Sequence, residues 1–178
     1  MTGYAIYDYP FGQVKIGYED DLITLIGPVK DQTDVKDRGE KTPLIDQVFQ
    51  QITEYLAGKR KTFSINYRLS GTPFQERVWH ALEKIPYGET RSYKEVAEAI
   101  GNPKAVRAIG GANNKNPIMI VVPCHRVLGA DGSLTGYAGG IAMKQALVEL
   151  EKRISNICQK AVISQEDHVF HAFLAPTY

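Results

Sequence analysis

Residues 91–127 read RSYKEVAEAIGNPKAVRAIGGANNKNPIMIVVPCHRV, and this stretch decides how the second half of the chain is organised. Ser92 and Glu95 form a capping box: the serine hydroxyl accepts from the Glu95 amide, and the Glu95 carboxylate reaches back to the Ser92 amide. The helix opened in this way closes at Gly101. Asn102 as N-cap and Pro103 as first helical residue predict a second helix at once. Two helices joined by so short a turn are the sequence form of a helix-turn-helix, and equally of a plain antiparallel helix pair. Ala105, Ala108, Gly110, Gly111 and Ala112 make one surface of the second helix nearly free of bulk. Two consecutive glycines cost a helix interior roughly 1 kcal/mol each relative to alanine, so something should need the close approach. Either another helix or a nucleic-acid groove would satisfy that need. Arg107 is the one long cation among these small residues.

IMIVV (residues 118–122) reads as a buried strand that delivers Pro123, Cys124 and His125 to its end. GADGSLTGYAGG (129–140) is a flexible loop, and IAMKQALVELEKR a helix with Ile141, Leu147 and Leu150 inward and Glu151 near its end. Upstream, TPFQERVWHALEKIPYG places Phe74, Val78, Leu82 and Ile85 on one helical face. The first 66 residues differ in character. YAIYDYP, GQVKIGYED and DLITLIGPV read as a small meander. KDQTDVKDRGEKT is a polar loop. PLIDQVFQQITEYLAG is a helix with Leu44, Val48, Ile52 and Leu56 at helical spacing and Gly58 at its end, and TFSINYRL is a returning strand. The break at SGTPF divides residues 1–72 from 73–155, with 156–178 as an extension.

The 178 residues suit one domain or two small ones. The formal net charge is +1, but residues 101–130 hold Lys104, Arg107, Lys115 and Arg126 and no acid. This is either a patch that attracts phosphates or a solvated surface that lacks acids. No Cys/His spacing suits a structural zinc, so no metal is expected. The opening MTGYAIYDYP resembles no secretory leader, and no stretch is long and apolar enough for a membrane span. A cytoplasmic setting, with Cys124 and Cys158 both free, is the expectation.

An ordinary thiol with a pKa near 8.5 is only about 3% ionised at neutral pH. An imidazole can take its proton, and a carboxylate can orient that imidazole. Cys124, His125 and Glu151 supply the three groups. Adjacent residues of a strand point to opposite faces, so a Cys–His contact needs a bend or an intervening water. A buried core cysteine is the plainer alternative.

PCHRV behind this helix-turn-helix, with GYAGG and a later glutamate following, resembles the O6-alkylguanine-DNA alkyltransferases. The likeness is close over residues 74–151 and general before them. It implies an α/β (α+β) fold: a small ribonuclease-H-like N-terminal domain and a winged-helix-like C-terminal domain. It implies single-turnover transfer of an alkyl group from guanine O6, and possibly thymine O4, to Cys124. His125 would be the base through a water, Glu151 its orienter, and Asn116 a brace for the active-site turn. Arg107 would fill the gap left by a flipped nucleotide. Tyr93 would act on the target phosphate or base and return a proton to the guanine. Val127, Tyr137, Ala138 and Gly139 would line the base pocket. Lys104, Ala105, Val106, Gly110 and Asn113 would join Arg107 and Tyr93 on the DNA side. The partner would be double-stranded DNA, met in the minor groove without sequence preference by a monomer that needs no cofactor. Gly136 and Ala138 depart from the polar residue and serine common there. A damage recogniser of the same fold, a winged-helix regulator and a thiol hydrolase are the competing readings. The first lacks the cysteine, the second leaves the Cys–His–Glu set idle, and the third needs oxyanion donors that sequence does not display.

Overall fold

The computed structural model describes residues 1–29 and 38–172, with side chains through residue 159. Strands β1 (Thr2–Tyr9), β2 (Gly12–Glu19) and β3 (Leu22–Pro28) form an antiparallel meander in the order β1-β2-β3. Their inward residues, among them Ala5, Tyr7, Val14, Ile16, Ile23 and Ile26, pack with Ile45, Val48, Ile52 and Tyr55 of α1 (Pro43–Leu56). Thr42 caps α1 through its hydroxyl, and Gly58 follows the helix with a φ of 73°, the left-handed turn its position foretold. The helix buries Ile45 and Tyr55 more deeply than the expected Leu44 and Leu56.

TFSINYRL does not return as a strand. Its alternation survives as an extended segment with Phe63, Ile65, Tyr67 and Leu69 half buried. It meets β3 only where Ile23 bonds Asn66 and Arg68 (both 2.9 Å). Ser64 spends its backbone groups on the Gln51 side chain instead, which donates to the Ser64 carbonyl at 3.1 Å and accepts from its amide at 2.8 Å. The free edge of β3 is shared. Further along it, Ile26 bonds Pro117 and Met119 (both 2.8 Å), tying the meander to the segment that precedes Cys124.

The second half holds α2 (Pro73–Leu82), β4 (Arg91–Ser92), α3 (Tyr93–Ala99), α4 (Val106–Asn114), a 3-10 turn (Cys124–Arg126), β5 (Val127–Leu128) and α5 (Ile141–Ala172). Both expected caps of α3 are present, the Ser92 hydroxyl to the Glu95 amide at 3.1 Å and the return bond at 2.6 Å. Trp79 of α2 is buried and donates to the Ala112 carbonyl at 2.8 Å, which pins α2 to α4. Ile85 lies beyond the end of α2 but is buried as expected, while Phe74 is only partly covered.

Three further expectations are corrected. The α4 helix begins at Val106 with Ala105 as an uncapped N-cap, because Asn102 and Pro103 make a turn closed by Ala105 onto Asn102 at 3.0 Å. Asn followed by Pro is equally a signature of that turn. IMIVV is buried but is not a strand: after one bridge it turns back, with Val122 bonding Ile118 at 2.9 Å and Ile120 at a φ of 74°. A left-handed β-branched residue is strained backbone, held here by its burial in the core. Ile141 is exposed; Met143, Lys144, Leu147, Val148 and Glu151 form the inner face of α5, which runs on well past Glu151. Residues 173–178 of the extension, and most of the polar loop after β3, lie outside the described residues. No described helix is long and apolar enough to cross a membrane.

Candidate active site

The chain path after α4 sets the site. Parallel pairing of Arg91 with Val127 and Ser92 with Leu128 brings the start of α3 beside the 3-10 turn. Pro123 ends the extended path as N-cap of the turn, so Cys124 and His125 lie in a 3-10 turn and not in a regular strand, and the alternation of strand faces does not apply to them. Cys124 is 2% exposed. Its sulfur lies 3.1 Å from Asn116 Nδ2, which also donates to the Val122 carbonyl at 2.8 Å, while Asn116 Oδ1 accepts from Ile118 at 3.0 Å. One side chain thus clamps both ends of the apolar turn and touches the thiol. Asn113, expected on the DNA side, is buried instead and donates to the Cys124 carbonyl at 3.1 Å.

His125 is fully buried, and its Nε2 lies 2.9 Å from Glu151 Oε1. Arg126 binds both oxygens of the same carboxylate (2.8–3.2 Å) and the Ile85 carbonyl (2.6 Å). The Gly88 amide donates to Glu151 Oε2 at 3.0 Å. Arg126 is therefore part of an internal ion pair, and of the basic residues between 101 and 130 only Lys104, Arg107 and Lys115 remain on the surface. Burial pushes the Glu151 carboxyl upward, but the bonds from His125 and Arg126 prevail and bring it down to about 2. Glu151 thus stays ionised and can only accept, so Nε2 of His125 carries the proton and Nδ1 is the basic nitrogen. That Nδ1 is buried and has no hydrogen-bond partner among the described residues. Burial also holds the imidazole below its ordinary range, against the pull of Glu151.

The thiol is not ionised at rest. Burial raises Cys124 to about 11, and the Asn116 bond only partly offsets this. Its surroundings therefore keep the sulfur neutral until its proton has somewhere to go.

A second polar group faces the loop. Tyr93 donates to the Thr135 carbonyl at 2.9 Å, and Lys144, fully buried on α5, donates to the same carbonyl at 2.8 Å and to the Tyr93 oxygen at 3.3 Å. Tyr137 is buried with an unpartnered hydroxyl, and Asn113 Oδ1 is likewise unpartnered. Val127 is buried in β5, while Ala138 and Gly139 are half buried beside Tyr137. A Cβ on Gly139 would stand 2.4 Å from the Met143 sulfur.

On the outer face of α4, Lys104, Val106 and Arg107 are exposed, and Ala105 and Gly110 are half exposed. A Cβ on Gly111 would meet nothing within 4 Å, and one on Gly110 only Tyr93 at 3.9 Å. Packing among the described residues requires neither glycine.

Sequence reasoning missed Tyr55, Arg126 and Lys144. Tyr55 carried no signal beyond a place in the last turn of α1. Arg126 was visible beside His125 but counted as surface charge. Lys144 is a lysine on the inner face of α5, between Met143 and Leu147, and that was the signal available.

Residues 73–153 match the DNA-binding domain of 6-O-methylguanine DNA methyltransferase, and residues 3–69 match its ribonuclease-like domain. The constitutive methylated-DNA–protein-cysteine methyltransferase of Bacillus subtilis is 46% identical over 159 residues, covering 85% of this chain and 96% of that one. The methylated-DNA–protein-cysteine methyltransferase of Methanosarcina acetivorans is 45% identical over 151 residues, covering 83% and 97%. The crystal structure of the Mycobacterium tuberculosis O6-methylguanine methyltransferase superposes with a TM-score of 0.77 at 44% identity, covering 86% of this chain and 94% of that one. The M. tuberculosis protein has also been solved in complex with DNA, with the same identity and TM-score over 85% and 93%. The chain belongs to the 6-O-methylguanine DNA methyltransferase family.

Proposed function

We infer that this protein repairs DNA by direct reversal, taking the alkyl group of O6-alkylguanine irreversibly onto Cys124. The observation that carries the reading is the buried Cys124–His125–Glu151 set, in which an unpartnered Nδ1 sits one residue from a neutral thiol. Proton transfer through one water from Cys124 to Nδ1 generates the thiolate at the moment of use. The sulfur then forms a bond to the alkyl carbon, the carbon–O6 bond breaks, and the electron pair leaves on guanine. Tyr93, held by Thr135 and Lys144, returns a proton to the guanine. The product thioether has no easy leaving path, so each molecule acts once.

O6 lies inside the duplex, so the nucleotide must be extruded, at a cost of a few kcal/mol. We assign α4 to the minor groove: its outer face is slim, and neither Gly110 nor Gly111 is needed for internal packing. Arg107 takes the vacated space, while Lys104 contacts phosphate, giving sequence-independent, salt-sensitive binding. Val127, Tyr137, Ala138 and Gly139 line the base pocket, and the glycines of the 129–140 loop allow it to part. The protein acts as a cytoplasmic monomer of two units that meet near residue 72.

The test is to incubate the protein with duplex DNA carrying O6-methylguanine and weigh the Cys124 peptide after digestion. One methyl gained in one-to-one yield is the expected result. DNA binding without mass gain would point to a damage recogniser and refute the assignment.

A further inference from the structure

The relay beside Cys124 is completed from the other half of the chain. Tyr55, in the last turn of α1, is fully buried. Its hydroxyl donates to Glu151 Oε1 at 2.5 Å and stands 3.3 Å from His125 Nε2. It therefore meets the same carboxylate oxygen that accepts from His125. The ring alone serves packing, against Phe63 at 5.4 Å and Tyr87 at 6.0 Å between centroids. A phenylalanine would fill that space without burying a hydroxyl, which is costly unless bonded.

We propose that Tyr55 is a positioning residue for alkyl transfer: its hydroxyl fixes Glu151 Oε1 in line with His125 and holds His125 in the Nε2–H form, leaving Nδ1 as the free base. The assignment rests on the reading of Cys124 as the acceptor. Because the Tyr55 O–H is spent on Glu151, its oxygen offers only lone pairs to Nε2. A histidine protonated at Nδ1 would turn a bare Nε2 toward two acceptors, so that tautomer is excluded. The hydroxyl also draws charge from the carboxylate and moderates its pull on the imidazole. The charged and titratable groups around His125 are Glu151 and Lys144 of α5, Arg126 and Cys124 of its own turn, and Tyr55 of α1. Removing the Tyr55 hydroxyl strengthens the attraction of Glu151 for the imidazolium, and the base then becomes protonated at higher pH.

The experiment measures single-turnover methyl transfer by the full chain to an O6-methylguanine duplex across the acid limb of its pH profile. It is paired with 15N NMR of labelled histidine. Tyr55→Phe is expected to transfer about ten-fold more slowly, a fraction of what acid–base catalysis supplies. Its acid limb should move to higher pH, and the 15N shifts of His125 should show the imidazolium forming at correspondingly higher pH. Tyr7→Phe is the control. It removes a comparable bond, Tyr7 to Asp46 at 2.6 Å, at the opposite end of α1 from Tyr55, and should move neither readout. An unmoved limb with unchanged 15N shifts in Tyr55→Phe overturns the proposal, as does a slower rate that tracks only lost thermal stability. If Tyr55→Phe does not fold, 3-fluorotyrosine at position 55 keeps the ring and donates more strongly. The limb should then move to lower pH, and a stationary limb overturns the proposal. Failure of the wild-type chain to gain a methyl on Cys124 would instead sink the acceptor reading itself.

Discussion

Asn116 Nδ2 lies 3.1 Å from the sulfur of Cys124, and the rest of the Asn116 amide holds the turn on which that sulfur is carried. The same Nδ2 donates to the Val122 carbonyl and Oδ1 accepts from the Ile118 amide, so the side chain spans the strained Ile120 between them. Thiol placement and backbone strain are thus governed by one side chain. Asn116→Ala should cost about 2–3 kcal/mol, at roughly 1 kcal/mol per buried hydrogen bond, and should slow methyl transfer. Urea denaturation midpoints and single-turnover rates check both effects.

The two cysteines should differ in reactivity. Cys158 is exposed and Cys124 is buried with its pKa raised to about 11. At neutral pH, maleimide should label Cys158 in the folded protein and leave Cys124 intact until denaturant is added. Peptide mass mapping reads the result. Equal labelling of both would show that the sulfur is not held neutral.

Acid should destabilise the fold through the buried relay. Glu151 is brought from 4.5 down to about 2 in the folded state, so the unfolded chain binds its proton first. The stability this contributes is complete above pH 4.5 and is lost as pH falls toward 2. His125 is also lowered, from 6.5, and its protonation in the unfolded chain acts in the same direction from below pH 6.5. The advantage of wild type over Glu151→Gln in denaturant midpoint should therefore be full at pH 7 and shrink as pH falls through 4.5.

Arg107 is exposed on α4, and the role proposed for it in the vacated space of the duplex has no counterpart on a free base. Arg107→Ala should slow transfer from duplex O6-methylguanine more than transfer from a free O6-alkylated guanine. Parallel rate measurements on the two substrates decide the matter, and equal losses would remove its role in extruding the nucleotide.

Much of this was legible in residues 91–127, because a capping box, a Gly-Gly helix and a proline before Cys-His are local signals. The meander and α1 were readable for the same reason. What escaped depends on sequence-distant partners. The edge of β3 accepts two short bridges, at Ile23 and Ile26, so two apolar stretches that look like strands never build ladders. Arg126 and Lys144 look like solvated cations until Glu151 and Thr135 meet them. Asn113 sits on a helix whose outer face is slim and exposed, but it is turned inward onto the Cys124 carbonyl.

The shared edge of β3 has a practical corollary. Cutting the chain at the exposed Gly71 would leave Tyr55, Ile23 and Ile26 on one fragment and Glu151, His125 and Ile118 on the other. The C-terminal piece would keep thiol, imidazole and carboxylate but lose the hydroxyl that positions them, and the carboxylate would face water where the phenol had been. Full speed of transfer would then return only when the pieces reassociate, so the two halves fused to separate bait proteins would report on the proximity of the baits by how fast they leave a permanent covalent mark.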